Sequence, residues 1–499
     1  MPRRPLWLAA VIIAVLAVAG LPVPFAAHPV AASASACVSG ARLLRYLVLF
    51  DAGTTERSAV HAIRAACGSP VAYYRQIGVG VATSAQPDFT SRFGSDRAYS
   101  AQAEATALPP AQLSGAAGLP TTAQLPGAAP ALRVDHSAEQ WDMRMIHAPE
   151  ARLINRGRPD VVVGVLDSGI DATHPDLAAA VDPARSASCL SGLPDPAAPA
   201  WSPSTSAHGT HVAGIIAAAD DGYGITGVAP GVRVASVKVV DDQGFIYPEY
   251  AVCGFMWAAA QHMRITNSSY SVDPWLLTCS TAPGQAVVHE ALRRAVEYAT
   301  AQGVLNVAAV GNERLDLAHP QRDQHSPDNA PRPQPRLVDR HCHVLPAQLP
   351  GVVAVSAVGA EGVKADYSSY GLGVVTVAAP GGDWAQPPGA GRRGCVLSTI
   401  PGGYGYACGT SMAAPHVAGV AALLASVHPQ AGPQQLAALI REQASPLPCP
   451  VPGPQRAVPG HNRVGGGTAC ADAHGTTGDL ASEDYGHGLV DALKAVSAR

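Results

Sequence analysis

Three short segments of the sequence place a carboxylate, an imidazole and a hydroxyl beside glycine residues. Asp167 ends the apolar run VVVGVLD, His208 opens HGTHVAGIIAA, and Ser411 follows Gly409 and Thr410 in GTSMAAPHVAGVAALL. A serine becomes a competent nucleophile when an imidazole removes its proton, and a buried carboxylate fixes the tautomer of that imidazole and stabilises its charged form. The set therefore predicts acyl transfer through a serine nucleophile.

Each of these residues taken alone also has a plainer interpretation. Asp167 could cap the turn after its strand, and Ser411 could be the N-cap of the apolar helix that follows it. His208 and His211 could form a metal pair, but the zinc-peptidase pattern needs an i,i+4 spacing with a glutamate beside the first histidine. We therefore expect His211 to pack against the sheet, and the combination of Asp, His and Ser to carry the chemistry.

Together the three motifs resemble the signatures of the subtilisin-like (subtilase) serine peptidases, and they follow in that family's chain order. The resemblance covers roughly residues 140–495. It implies that Asp167 orients the imidazole, that His208 is general base and then general acid, and that Ser411 attacks the scissile carbonyl. The segment AAVGNE resembles the family's oxyanion-hole segment, which implies that the Asn312 amide binds the oxyanion beside the backbone N–H of Ser411. A turn after the preceding strand is a compatible second role for Asn312.

In this family two extended segments hold the peptide substrate as an added strand. The resemblance places them at Ser269, Tyr270 and Ser271 and at Gly244, Phe245 and Ile246. The family usually has Ser-Leu-Gly at the first segment, so Tyr270 and Ser271 are departures that change the adjoining subsites. The stretch between Asn312 and Leu345 is longer than in the plainest members and borders the pocket for the residue before the cut. We expect protein or peptide substrates and no catalytic cofactor, with the fine specificity left open.

A structural calcium ion is expected from two places where the chain keeps the family's spacing. Asp176 follows Asp167 by nine positions, as does the aspartate that binds calcium in relatives, and the loop ADDGYGITG has the length of their calcium loop. Since calcium takes six to eight oxygen ligands, the predicted ligands are the carboxylates of Asp176 and Asp221 and the carbonyl oxygens of Ala219, Tyr223 and Ile225. Gln140 is a candidate to complete the site. The alternative is a polar surface turn in which Asp220 and Asp221 solvate the end of the His208 helix.

Valine-rich runs alternate with helix-length segments through most of the chain. Strands are predicted at 161–166, 232–240, 304–310, 352–358 and 374–378, with helices beginning near His208, Pro248, Gln285 and Ser411. Continuous apolar strands separated by helices indicate a parallel sheet buried on both faces, and such sheets place functional groups at the carboxyl ends of their strands. The predicted fold class is α/β, and the resemblance implies a subtilisin-like three-layer fold with a mostly parallel sheet between helices.

The N-terminal region is predicted to be removed in two steps. Arg3 and Arg4, an apolar run and then small residues are typical of a signal peptide over residues 1–36, cleaved between about 27 and 36. A membrane anchor is the alternative, but spanning needs about 20 apolar residues and Pro22 ends this run early. No stable membrane anchor is therefore expected after cleavage.

A small α/β unit precedes the catalytic motifs. A strand at 46–50, a helix from Glu56 and a strand around Ile77, Val79 and Val81 lie within the predicted propeptide, residues 37–100. This unit resembles the family's propeptide, which implies a chaperone and inhibitor. The Ala-, Gly- and Pro-rich stretch 101–136 is predicted to be a flexible linker in which maturation cleavage occurs, and residues 137–499 to be the peptidase domain.

Composition and cysteine content indicate which partners the protein can bind and in which cellular compartment it works. The net charge of −4, from 33 basic and 37 acidic residues, offers no basic stripe for nucleic acid. Ten cysteines behind an export signal indicate an oxidising compartment, so we expect a secreted, extracellular protein with disulfide bonds. The pairs predicted from sequence proximity are Cys37 with Cys67, Cys395 with Cys408 and Cys449 with Cys470. Cys342 lies between His341 and His343, where a disulfide is favoured over a metal site.

Two other functions remain open at this stage. A catalytically inactive protein with this fold could serve as a binding scaffold, although all four catalytic positions are filled. An active enzyme could be a dedicated processing protease with one partner rather than a broad scavenger. We expect a monomer that is held inactive by its own propeptide until export is complete.

Overall fold

The computed structural model describes residues 37, 42–106, 123–124, 134–330, 332–389, 393–447 and 482–497. Residues 39–499 group into one compact unit. Within it we distinguish an N-terminal module, residues 44–106, from a main domain, residues 134–497.

The N-terminal module is a four-stranded antiparallel sheet with two of its three helices packed on one face. Its elements are β1 Leu44–Leu49, α1 Glu56–Ala65, β2 Ser69–Tyr74, β3 Val79–Ser84, α2 Phe89–Phe93, β4 Ala98–Tyr99 and α3 Ala101–Thr106, with strand order β2-β3-β1-β4. Helix α1 begins where Thr55 Oγ1 accepts the N–H of Ser58, and it buries Ile63 against Phe89 and the sheet. The predicted small α/β unit is therefore present.

Two details of this module differ from the prediction. Strand β2 is missing from the sequence prediction; it contains Pro70, which is tolerated because β2 is an edge strand. Helix α3 lies inside the predicted flexible linker. Its residues AQAEAT are mostly strong helix formers, and Ser100 Oγ accepts the N–H of Ala103 in its first turn.

The main domain contains the remaining helices and all but one of the remaining strands. Its strands are β6 Val162–Asp167, β7 Ala187–Ser188, β8 Arg233–Lys238, β9 Ile265–Ser268, β10 Thr278–Cys279, β11 Leu305–Ala309, β12 Arg322–Asp323, β13 Arg336–Leu337, β14 Cys342–His343, β15 Val352–Val358, β16 Val377–Pro380, β17 Val396–Ile400 and β18 Gly403–Ala407. The short strand β5 Ala123–Gln124 precedes the domain and pairs with β18. The helices are α4 Trp141–Met145, α5 Ala148–Ile154, α6 Ala198–Trp201, α7 His208–Ala217, α8 Pro248–Ala260, α9 Gln285–Ala301, α10 Thr410–Val427, α11 Pro433–Gln443 and α12 Ala492–Ser497.

A seven-stranded parallel sheet organises this domain. Its strand order is β16-β15-β11-β9-β6-β8-β7, and every neighbouring pair is parallel. Helices α7 and α10 pack in the apolar cluster on one face, and α8 and α9 pack in the cluster on the other. The predicted α/β fold with a parallel sheet between helices is confirmed. Strands β6, β9 and β11 are parallel neighbours, so their carboxyl ends lie side by side and the segments that follow them come together.

Helix α10 is the central helix of the domain. Of the helices in the described ranges, it alone is long and apolar enough to cross a membrane by length and composition, and 94% of that stretch is buried inside the fold. Gly419 lets it approach the neighbouring segment closely, because a Cβ there would lie 2.6 Å from Val228 Cβ. The apolar character of α10 therefore reflects burial in the core of this domain.

The N-terminal module lies against helices α8 and α9 of the main domain. Arg294 Nη1 on α9 donates to the carbonyl oxygens of Phe50 at 2.9 Å and Ile77 at 3.1 Å. Tyr74 donates its hydroxyl to the carbonyl oxygen of Gly192 at 2.7 Å. Apolar residues of β1 and β3 join the cluster that includes α8 and α9, so the two parts share buried surface as well as hydrogen bonds.

Disulfide bonds cross-link distant parts of the main domain. Cys395 pairs with Cys408, as predicted, and this bond ties β17 to the segment before Ser411. Cys279 pairs with Cys342 across β10 and β14, which confirms that Cys342 is in a disulfide.

Cys189 pairs with Cys253, a bond that sequence proximity did not suggest. Cys37 and Cys67 are both disulfide-bonded, and their pairing with each other stays a prediction. The predicted pair of Cys449 and Cys470 lies outside the described residues.

Candidate active site

Asp167 and His208 form a buried pair at the carboxyl edge of the sheet. Asp167 is the last residue of β6, and His208 is the first residue of α7. His208 Nδ1 lies 2.8 Å from Asp167 Oδ1 and 2.9 Å from Oδ2, and both residues are at most 6% exposed. The N-terminal donors of α7 are satisfied locally, because Ser206 Oγ accepts the N–H of His208 and Ser168 Oγ accepts the N–H of Gly209. Asp167 thus holds the imidazole through Nδ1.

Burial and charge act on His208 in opposite directions. Burial by itself lowers the pKa of His208, while the charge of Asp167 and the hydrogen bond to it raise that pKa, and the net shift is upward. A raised pKa makes the imidazole a stronger proton acceptor. His211, one turn further along α7, behaves differently: its Nε2 donates to Gly405 O at 3.1 Å, and burial lowers its pKa to about 3. His211 is therefore a neutral, buried residue, as expected.

Ser411 stands at the start of α10 with its hydroxyl turned toward the end of β9. Its Oγ donates to the carbonyl oxygen of Ser269 at 3.1 Å, and Ser269 Oγ donates to the carbonyl oxygen of Ser411 at 2.8 Å. In the part of the chain that the structure describes, His208 Nε2 is buried and has no hydrogen-bond partner. A rotation of the Ser411 hydroxyl is needed before it can donate to His208, and such loose catalytic hydrogen bonds are common in enzymes without substrate.

Asn312 and the backbone of Ser411 flank a common space. The Asn312 side chain is held because its Oδ1 accepts both the N–H and the hydroxyl of Thr410 at 2.9 Å. This contact leaves the Nδ2 donor facing away from Thr410. A Cβ placed on Gly409 would lie 3.5 Å from Asn312 Nδ2 and 3.6 Å from Ser411 N. Two donors that face one small space can bind an oxyanion, and glycine at position 409 keeps that space open.

The predicted substrate segment 244–246 is hydrogen-bonded to the chain just after the segment 269–271. Ile246 N donates to Asp273 Oδ2 at 2.5 Å, and Asp273 N donates to Ile246 O at 2.9 Å. Asp273 follows the Ser269–Ser271 segment by two residues and is a positioning residue that the sequence did not single out. Tyr270, which replaces the usual leucine, is 8% exposed and packs in the same apolar cluster as Ile246. Gly244 adopts a φ of 93°, a conformation suited to glycine, at the turn before Ile246.

The two predicted carboxylate ligands of calcium accept hydrogen bonds from groups of the protein. Asp176 Oδ1 and Oδ2 each accept the hydroxyl of Tyr404 at 3.0 Å, and Oδ2 also accepts the N–H of Ile225 at 3.1 Å. Asp221 Oδ1 accepts the N–H of Tyr223 at 3.1 Å. Gln140, the candidate to complete the site, instead pairs with the backbone N–H and carbonyl of Thr226 at 2.9 Å.

A carboxylate oxygen that accepts a hydrogen bond keeps a lone pair for a cation, and calcium also takes carbonyl oxygens as ligands. Within the described ranges no group of three or more His, Cys, Asp or Glu side chains could hold a metal ion, and the calcium site stays a prediction. Tyr404 was missed by sequence reasoning, because it lies far along the chain from the loop.

The fold and the site together define a parallel α/β protein with an Asp, His and Ser constellation at the carboxyl edge of its sheet. The family model described as "Subtilase family" matches residues 158–488, and the chain belongs to the subtilase family.

Two curated relatives show how far the likeness extends. The chain is 32% identical over 324 residues to Fervidolysin of Fervidobacterium pennivorans, a match that covers 62% of this chain and 40% of that protein. It is 32% identical over 306 residues to Subtilisin NAT of Bacillus subtilis subsp. natto, covering 59% of this chain and 65% of that protein. The matches thus span less than two thirds of the length of these relatives.

A solved structure agrees with the fold. The epidermin leader peptide processing serine protease from Staphylococcus aureus matches with a TM-score of 0.64 and 18% identity, covering 92% of this chain and 99% of that chain. At this identity the likeness concerns the fold alone.

Proposed function

We propose that the protein is an exported serine endopeptidase, made as a self-processing precursor, which hydrolyses peptide bonds through an acyl-enzyme intermediate. The observation that carries this proposal is the buried Asp167–His208 pair, whose Nε2 is unpartnered among the described residues and lies at the same sheet edge as Ser411. Family membership supports the same chemistry.

The first half of the reaction forms the acyl-enzyme. The Ser411 hydroxyl leaves Ser269 O and gives its proton to His208 Nε2 as Oγ bonds to the scissile carbonyl carbon. Asn312 Nδ2 and Ser411 N stabilise the negative charge that develops on the carbonyl oxygen. The imidazolium, stabilised by Asp167, then protonates the leaving amine, and the C–N bond breaks.

The second half repeats these steps with water. His208 takes a proton from a water molecule that attacks the acyl carbon, and the same donors hold the oxyanion. His208 then returns the proton to Ser411 Oγ as the ester bond breaks. The peptide is held as an added strand between the segments 244–246 and 269–271. Hydrogen bonds join Ile246 to Asp273, two residues after Ser271.

The proposed role of the N-terminal module as inhibitor and chaperone is supported by its contacts with the main domain. Arg294 of α9 donates to Phe50 O of the module, and Tyr74 of the module donates to Gly192 O. A template packed against the main domain would help a slow-folding parallel sheet to form. We propose that residues 1–36 direct export, that residues 37–100 act as propeptide, and that the protein cuts itself within residues 101–136. The mature enzyme would be an extracellular monomer.

The test compares two serine substitutions on one helix. Ser411→Ala should reduce casein hydrolysis by about a million-fold, the loss known for subtilisin itself and not calculated from this structure. Ser426→Ala is the matched control, because Ser426 is also buried on α10 but, among the described residues, its hydroxyl bonds only to Ala422 O and Arg158 N. It should leave kcat unchanged.

The same variants test self-processing. The Ser411→Ala precursor, produced without other proteases, should accumulate uncut, while the Ser426→Ala precursor should be trimmed. Casein hydrolysis by Ser411→Ala at the normal rate would disprove the nucleophile, and normal trimming of that precursor would disprove self-cleavage.

A further inference from the structure

The end of β4 and the start of α3 in the N-terminal module are bound by two side chains of the main domain. Tyr99 is 5% exposed, and its hydroxyl oxygen accepts the indole N–H of Trp275 at 2.8 Å. Two residues further on, the carbonyl oxygen of Ala101 accepts a hydrogen bond from Asn329 Nδ2 at 2.8 Å. The ring of Tyr99 lies against Gly284, where a Cβ would come within 2.9 Å of it. The main domain therefore binds a tyrosine side chain and a backbone carbonyl at a fixed spacing.

The main domain itself holds these two donors in place. The guanidinium of Arg336 lies 4.5 Å from the centre of the Trp275 ring, and Arg336 Nη2 is bound 2.8 Å from Oδ2 of the buried Asp323. The segment that carries the second donor is fastened beside Trp275, because Ser326 Oγ accepts the N–H of Leu276 at 2.7 Å. None of these contacts involves the module, so the donors are preorganised and should keep their positions when the module leaves.

The two donors adjoin a predicted substrate segment. Asn329 Nδ2 lies 3.5 Å from the hydroxyl oxygen of Tyr247, which directly follows the segment 244–246, and the Tyr247 ring stacks on that of Phe245 with 5.7 Å between ring centres. Asn329 belongs to the stretch after Asn312 that the sequence predicts to border the pocket for the residue before the cut. A peptide that continues from the cleft along the segment 244–246 would therefore reach these donors.

Asn329 has hydrogen-bonding capacity that the module does not use. It is 8% exposed, and within the described part of the chain its Oδ1 is buried without a hydrogen-bond partner. A side-chain amide can bind a peptide twice, by donating from its nitrogen to a carbonyl and by accepting an N–H on its oxygen. The Ala101 carbonyl uses only the first of these. Because a buried acceptor without a donor costs free energy, a peptide that also offers an N–H would fit this amide better.

We propose that Trp275 and Asn329 form a substrate-binding site next to the cleft, which takes a tyrosine side chain and the peptide carbonyl two residues further along. In the precursor, Tyr99 and Ala101 occupy this site. The proposal rests on the proposed peptidase function and names its substrate class, which is peptides with a tyrosine at one fixed distance from the bond that is cut. Tyrosine is favoured over phenylalanine, because phenylalanine would leave the indole N–H without an acceptor.

The test is a cleavage profile of the processed enzyme on a mixture of peptides of random sequence, read by mass spectrometry. Tyrosine should be enriched over phenylalanine by about three- to tenfold at a single position relative to the cut, the factor that one net hydrogen bond supplies. Trp275→Phe, which removes the N–H and keeps an aromatic ring, should abolish this preference. Trp257→Phe is the matched control, because the Trp257 indole donates to Arg185 O, outside this site. It should keep the preference.

Asn329→Ala provides a second measurement. For the tyrosine peptide that the wild-type enzyme cuts best, it should raise KM more than it lowers kcat, because the lost contact binds substrate away from the reacting bond. Cleavage with no tyrosine preference at any position, or the same preference in Trp275→Phe as in the wild type, would overturn the site and leave the peptidase function standing. An unchanged KM in Asn329→Ala would remove the carbonyl contact from the site. Failure to cut any peptide would contradict the peptidase function and the site with it.

Discussion

Glu249 is predicted to make the affinity between the enzyme and its proposed propeptide depend on pH. It lies in the first turn of α8, is 2% exposed, and faces the N-terminal module. Its only opposite charge in the described contacts is Arg45 of β1, whose Nη1 is 3.8 Å from Oε1, beyond hydrogen-bond distance. Arg45 instead donates to Leu190 O and to the hydroxyl of Tyr250. A carboxylate buried at an interface with so poor a partner costs free energy.

The shift in pKa gives the sign and the size of the effect. Burial raises the pKa of Glu249 to about 7 from its usual 4.5; Arg45 opposes this shift and Asp241 adds to it. When the pKa of an acid rises on binding, the complex forms more readily with the protonated acid than with the ionised one. Affinity should therefore be greatest below pH 4.5, weaken as pH rises toward 7, and level off above it. If Glu249 regained its usual pKa in the free enzyme, the affinity for the propeptide would fall by about 300-fold in all from well below pH 4.5 to well above pH 7. We expect a fall of at least about tenfold.

The assay is the inhibition constant of the segment 37–106, added to the mature enzyme, from about pH 5 to pH 8 with a fluorogenic peptide. Glu249→Gln should bind tightly and almost independently of pH, because it removes the titrating group. Tyr74→Phe, which loses the bond to Gly192 O, should weaken binding by a similar factor at every pH. An unchanged pH dependence in Glu249→Gln would refute the reasoning.

Three further predictions concern the catalytic edge and the core. Because the pKa of His208 is raised and catalysis needs its neutral form, kcat/KM should fall as pH decreases, with its midpoint above the usual 6.5, in a pH-rate profile. Gly409→Ala should lower kcat by about a hundredfold or more by filling the oxyanion space, whereas Gly432→Ala, whose Cβ would meet nothing within 4 Å, should leave kcat unchanged in the same assay. Gly419→Ala should cost about 1–3 kcal/mol in denaturant unfolding, because its Cβ would crowd Val228; equal stability would show that the helix contact relaxes freely.

The sequence predicts the main sheet and helices well because their signals are local. The apolar runs before Asp167 and around 304–310 become β6 and β11, and the helices predicted near His208 and Ser411 begin at His208 and Thr410. Because functional groups in such sheets lie at the carboxyl ends of the strands, the sequence alone predicts that the three motifs come together there.

Other features depend on contacts between distant residues and leave no local signal. Cys189 and Cys253 are separated by 64 positions, whereas the predicted pair of Cys395 and Cys408 is separated by only 13. The expectation of calcium at Asp176 follows from loop length and spacing. The Tyr404 hydroxyl, 228 positions away, contacts Asp176, and no periodicity in the sequence predicts such packing.

Labelling with a sulfonyl fluoride, which reacts with activated serine hydroxyls, tests the central claim most directly. Mass spectrometry of the mature enzyme should find one adduct, on Ser411, in proportion to the loss of peptidase activity. His208→Ala should prevent the reaction, because without the imidazole the hydroxyl is an ordinary weak nucleophile. Full labelling with activity retained, an adduct on another serine that accounts for the loss, or equally fast labelling of His208→Ala would contradict the proposed Asp167–His208–Ser411 mechanism.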